Sequence, residues 1–120
     1  RIILIDDSIV RGTTSRRLVQ LLKSAGAREV HFRVASPPVS FPCYFGLDTP
    51  SRKELAGSRG LREIQEMIGA DSLAYLSTQG LIESLSTTQS FCTGCFTGVY
   101  PVAAPLEQEK EHLEHEHASR

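Results

Sequence analysis

Hydrophobic residues along the chain alternate between short runs and helical spacing. Ile2, Ile3, Leu4 and Ile5 are consecutive aliphatics, the pattern of a strand buried on both faces of a parallel sheet. Leu18, Val19, Leu21, Leu22 and Ala25 then share one helix face, with Arg16, Arg17, Gln20 and Lys23 largely on the other. Thr14 or Ser15 supplies the N-cap and Gly26 the stop. Glu29 to Ser36 alternates around Val30, Phe32 and Val34, which predicts a second strand and completes a strand–helix–strand unit. Ser36-Pro37-Pro38 ends that strand, and residues 39–50 read as an irregular connection. Ser51 to Leu55 predicts a helical turn opened by a Ser51-x-x-Glu54 capping box. Leu61 to Ile68 predicts a helix with Leu61, Ile64, Met67 and Ile68 inward. Asp71 to Ser77 is a third strand, and Ser77 or Thr78 caps a helix with Leu81, Ile82 and Leu85 as its apolar face. Residues 91–101 form a compact turn region, and residues 102–120 a polar, flexible tail. Strands alternating with helices make the chain α/β, a parallel sheet flanked by helices. Because central parallel strands need neighbours on both sides and only two more strands follow, the chain reads as the C-terminal piece of a larger protein.

The first strand runs out at Asp6 and Asp7 and passes through Ser8-Ile9-Val10-Arg11-Gly12-Thr13-Thr14-Ser15 into the first helix. Ligands of open α/β sheets sit at the carboxyl ends of strands. A loop entering a helix N-terminus offers unpaired N–H groups to an anion, Gly12 lets backbone close on it, and Thr13, Thr14 and Ser15 add hydroxyls. Adjacent carboxylates accept hydrogen bonds from sugar hydroxyls or hold magnesium, a hard cation. The loop therefore suits a phosphorylated sugar. A strand–loop–helix whose acids merely cap the helix is the bland alternative.

With no secretory signal a disulfide framework is not expected of the three cysteines, Cys43, Cys92 and Cys95, which are an odd number besides. Cys92-x-x-Cys95 has chelating spacing, so a metal site, a redox pair and buried thiols all remain open, as does the choice between zinc and iron–sulfur. His31 alternates outward on its strand, where a lone histidine is a surface or packing residue, and is assigned no role. His112, His115 and His117 sit among glutamates in a solvated tail. A net charge of −1 over 120 residues argues against nucleic-acid and anionic-membrane partners. With no long apolar run and no signal-peptide pattern, the chain reads as cytoplasmic.

The string Ile5-Asp6-Asp7-Ser8-Ile9-Val10-Arg11-Gly12-Thr13-Thr14-Ser15 resembles the phosphoribosyl pyrophosphate (PRPP) motif of type I phosphoribosyltransferases, in particular the glutamine PRPP amidotransferase family. The resemblance extends to about Pro101. It implies that residues 1–101 are the C-terminal portion of a type I phosphoribosyltransferase fold, incomplete in this chain. It implies Asp6 and Asp7 on the ribose hydroxyls and magnesium, with Ser8, Ile9, Val10, Arg11, Gly12, Thr13 and Thr14 around the 5′-phosphate. Pro42-Cys43-Tyr44-Phe45-Gly46 and the Cys92–Cys95 turn are similar to the branch of the family that carries a 4Fe-4S cluster. That implies Cys43, Cys92 and Cys95 as cluster ligands, with a fourth outside this chain.

The activity so implied is a glycosyltransferase reaction, the first step of de novo purine nucleotide synthesis. PRPP, glutamine and water give 5-phosphoribosylamine, pyrophosphate and glutamate. Purine nucleotide inhibitors, an N-terminal glutaminase, further transferase segments and a homo-oligomer are the implied partners. No catalytic residue is assigned within the chain, which alone is expected to be inactive. Rival expectations are a non-enzymatic PRPP-sensing regulator, which has no use for the three cysteines, and a structural fragment binding zinc.

Overall fold

The computed structural model describes residues 1–85 and 90–103. The tail from residue 104, with its three histidines, and residues 86–89 of the polar loop lie outside them. In chain order the elements are β1 (Ile2–Asp6), α1 (Thr13–Ser24), β2 (Val30–Val34), a 3-10 turn (Ala56–Ser58), α2 (Leu61–Ile68), β3 (Ser72–Tyr75), α3 (Thr78–Ser84) and α4 (Gly94–Thr97). The three strands form one parallel sheet in the order β1-β2-β3. Register partners Leu4, Phe32 and Leu73 make one row, and Asp6, Val34 and Tyr75 another. Partners in a row point to the same face. Val30, Phe32, Val34 and Leu73 therefore meet Val19 of α1 and Ile64 and Ile68 of α2, joined by Ile9, Ala56 and Ala70, in a single core.

β1 departs from expectation. Ile3 is 68% exposed and Ile5 72%. The strand lies at the sheet edge with α1 and α2 on the side of Leu4, and no described residue covers the other face. α1 starts earlier than predicted, and its N-cap is Gly12 in the left-handed region (φ 80°) without a side-chain cap. Neither Thr14 nor Ser15 caps it. That start turns Ser15, Val19 and Leu22 toward the interior and leaves Leu21 65% exposed. Leu61, at the first position of α2, is likewise exposed, as are Ile82 on α3 and Leu85 just past its end. Ser77 does cap α3, its hydroxyl accepting from the Gly80 N–H at 3.0 Å. Ser51 to Leu55 is a turn, in which Glu54 accepts from both the N–H (3.2 Å) and the hydroxyl (3.0 Å) of Ser51. Using the hydroxyl as a donor removes the helical half of a capping box. His31 bridges Ser72 and Glu29 on the sheet surface.

Candidate functional site

The end of β1 and the start of α1 enclose an open hollow of about 330 Å³ lined by residues 6–8 and 10–15. At one side stand the two acids. Asp6 accepts from the Asp7 N–H at 3.1 Å, and Asp7 accepts from the Ser8 hydroxyl at 2.9 Å. Neither joins an ion pair among the described residues, so both keep free lone pairs. At the other side is the bare start of α1. No acidic side chain lies in its first turn, and the first intrahelical bond runs from the Arg16 N–H to the Gly12 carbonyl. The amides of Thr13, Thr14 and Ser15 are left without intrahelical acceptors at the positive end of the helix dipole.

Neighbouring segments hold this loop in shape. Ile9 is 1% exposed and belongs to the core, so its side chain fixes the turn from behind and leaves its backbone to the loop. The Val10 carbonyl accepts from the Ala56 N–H at 2.7 Å. Arg11 pairs with Glu54 at 3.2 Å, an exposed bridge. The Ser51 hydroxyl bond, with Arg11 helping, holds the Glu54 carboxyl below its ordinary range. At Gly12 a Cβ would lie 2.5 Å from the Met67 methyl, in a backbone conformation side chains rarely adopt. Ser15 lines the hollow although it is only 3% exposed, and its hydroxyl has no protein partner among the described residues. The sequence marked it as a hydroxyl donor, but its place on the inner helix face follows only from where α1 begins.

The cysteines lie apart from this hollow. All three are free thiols, Cys92 exposed and the others half-buried. The N–H groups of Ser40 and Phe41 both donate to the Cys95 carbonyl at 3.0 Å, laying the Cys43 loop against α4. The Cys43 sulfur accepts from the Phe45 N–H at 3.4 Å, and its own N–H donates to Thr49 at 2.7 Å. Burial pushes the Cys95 thiol up, and the charges of Cys43 and, less strongly, Cys92 push it further. Cys95 is thus the electrostatic neighbour of both other thiols. Among the described residues no three His, Cys, Asp or Glu side chains are close enough to grip one metal ion. A cluster puts each thiolate on its own iron and so spaces its ligands more widely than one ion does.

No protein-family model matches the chain. It is 54% identical over 115 residues to an amidophosphoribosyltransferase of Synechococcus elongatus, covering 94% of this chain and 23% of that protein. Over 112 residues it is 54% identical to that of Archaeoglobus fulgidus, covering 90% and 24%. Its fold superposes on the glutamine PRPP amidotransferase from B. subtilis complexed with ADP and GMP with a TM-score of 0.79 and 47% identity, over 86% of this chain and 24% of that one. Fold and loop together define part of a type I phosphoribosyltransferase. More narrowly, the chain belongs to the amidophosphoribosyltransferase family, and it spans about a quarter of the length of the relatives it matches.

Proposed function

We propose that this chain supplies the PRPP-gripping loop of an amidophosphoribosyltransferase, a cytoplasmic glycosyltransferase of purine synthesis. The observation that carries the reading is the division of one hollow into an acid side and an amide side. Asp6 and Asp7 take the ribose hydroxyls. The amides of Thr13 to Ser15, with the hydroxyls of Ser8, Thr13 and Thr14, take the 5′-phosphate, and Gly12 and the backbone of Ile9 to Arg11 close around it. Held at both ends, the sugar presents its anomeric carbon in a fixed direction. Orientation and fixed charge lower the barrier to displacement of pyrophosphate, with no covalent nucleophile from this loop. Asp6 and Asp7 also suit magnesium, which when bound offsets charge on the departing pyrophosphate. Purine nucleotides carry a ribose phosphate as well, and the B. subtilis neighbour was solved with ADP and GMP.

Cys43, Cys92 and Cys95 suit three ligands of a 4Fe-4S cluster, with a fourth thiolate from another segment. The glutaminase, the remaining transferase segments and a homo-oligomer complete the enzyme. The test is titration of PRPP with magnesium into the complete enzyme, wild type against Asp6→Asn with Asp7→Asn. The kcat/KM for PRPP should fall about 10²–10³-fold while glutamine hydrolysis persists. Unchanged PRPP use would refute the assignment, and equal loss of both activities would indicate misfolding.

A further inference from the structure

We propose that Ser15 is a specificity-determining residue of the hollow, its hydroxyl left without a partner by the protein and satisfied by an oxygen of the sugar's 5′-phosphate. The inference rests on the reading of the hollow as the PRPP grip and deepens it, because it says which hydroxyl makes the site demand a phosphate ester.

A serine or threonine within a helix ordinarily turns its hydroxyl back onto a carbonyl one turn earlier. Others in this molecule do so. Ser84 of α3 donates to the Leu81 carbonyl at 2.7 Å, and Thr97 of α4 to that of Thr93 at 3.0 Å. Ser15, in the first turn of α1, makes no such bond and has no other side-chain partner among the described residues. Yet it is 3% exposed. Among the described residues Tyr75 carries the hydroxyl that is both sealed off and unpartnered, so the Ser15 hydroxyl keeps a small opening, and the wall it belongs to is that of the hollow. Thr13 and Thr14 line the same hollow from exposed positions. Solvent satisfies their hydroxyls, and a ligand oxygen there only replaces water. The Ser15 hydroxyl reaches little water, so a charged acceptor returns nearly the full value of the bond. Its N–H, free of an intrahelical acceptor, adds a second donor from the same residue. Asp6 and Asp7 take the sugar hydroxyls at the other side, which leaves the phosphate to Ser15.

The test compares Ser15→Ala with wild type in the complete enzyme. Ribose 5-phosphate should bind about 10–100-fold more weakly by calorimetry, a larger loss than Thr13→Val or Thr14→Val causes. The 5′-phosphate is remote from the anomeric carbon, so the KM for PRPP should rise while kcat is kept. The ligand-free variant should unfold no earlier than wild type, since alanine suits a helix and removes an unmatched hydroxyl. Ser15→Cys fills the same place with a weak donor and should bind no better than Ser15→Ala. Wild-type affinity in either variant, a greater loss at Thr13 or Thr14, a fall in kcat at unchanged KM, or earlier unfolding of Ser15→Ala each overturns the role of Ser15. Should Asp6→Asn with Asp7→Asn weaken ribose 5-phosphate while Ser15→Ala does not, Ser15 alone is overturned. Should neither weaken it, the reading of the hollow falls, and the role of Ser15 with it.

Discussion

The sugar-phosphate hollow and the three-thiol site are built in opposite ways. The hollow is contiguous: Asp6 to Ser15 make one strand end, one turn and one helix start, and the lining comes entirely from that stretch. The thiol site is assembled across more than forty-five residues of sequence, from Cys43 to Cys92 and Cys95, and depends on bonds such as Tyr100 to Pro42. A contiguous site inherits its shape from secondary structure. A dispersed one must have its loops held by contacts between segments. Ser40 joins the two regions, because it donates from its hydroxyl to the Gly57 carbonyl at 2.7 Å and from its N–H to Cys95, while neighbouring Ala56 grips Val10.

The contrast can be tested from its strongest consequence downward. Gly12→Ala should damage the hollow most, since a side chain is strained at φ 80° and the Met67 methyl behind it must also swing aside. A cost of about 1–3 kcal/mol is expected in urea unfolding, with weakened binding of ribose 5-phosphate and unchanged cysteine reactivity. Gly26→Ala, at φ 100° with open space around it, is the control for strain alone and should cost less. Next, Ser40→Ala should cost about 1 kcal/mol and raise the reactivity of Cys43 toward thiol reagents. Unaltered reactivity would separate the two regions completely.

Smaller effects lie in the frame. At the end of the sheet opposite the hollow, Asp71 accepts from the Val30 N–H at 2.8 Å and pairs with Lys23 at 3.1 Å. The Val30 bond first, then the Lys23 bond, lowers its carboxyl below the ordinary 3.8. Its stabilisation is therefore present above pH 3.8 and lost as pH falls through the lower folded value. Acid unfolding of wild type and Asp71→Asn should converge at low pH and diverge above it. Parallel curves would remove Asp71 from the account. Smallest, and of opposite sign, is Tyr75→Phe. The Tyr75 hydroxyl is buried without a partner among the described residues, and burial raises it from 10 to about 12. Its removal should be neutral or stabilising by up to about 1 kcal/mol, and should lessen the loss of stability as pH rises above 10 toward 12, leaving the part due to Tyr100, whose burial raises it likewise. A clear loss in thermal unfolding would mean that the hydroxyl has a partner.

Which stretches were legible follows from the same contrast. The order of strands and helices was readable because alternation and helical spacing are local, and α2 runs from Leu61 to Ile68 as predicted. Ile3 and Ile5 misled, since an aliphatic run shows what a strand tolerates and says nothing of which neighbours cover it. Leu21 misled because one or two residues of uncertainty at a helix start rotates the buried stripe.

The chain's own order of residues settled the α/β plan and gathered acids, glycine and hydroxyls at one strand end, because those features repeat or cluster over a few residues. Only the tertiary structure decided that Gly12 backs onto Met67, that Ser15 turns into the hollow, and that Tyr100 spans the seam between Cys43 and Cys95. Those contacts join residues distant in sequence, and their geometry comes into being only when the sheet brings its connections together.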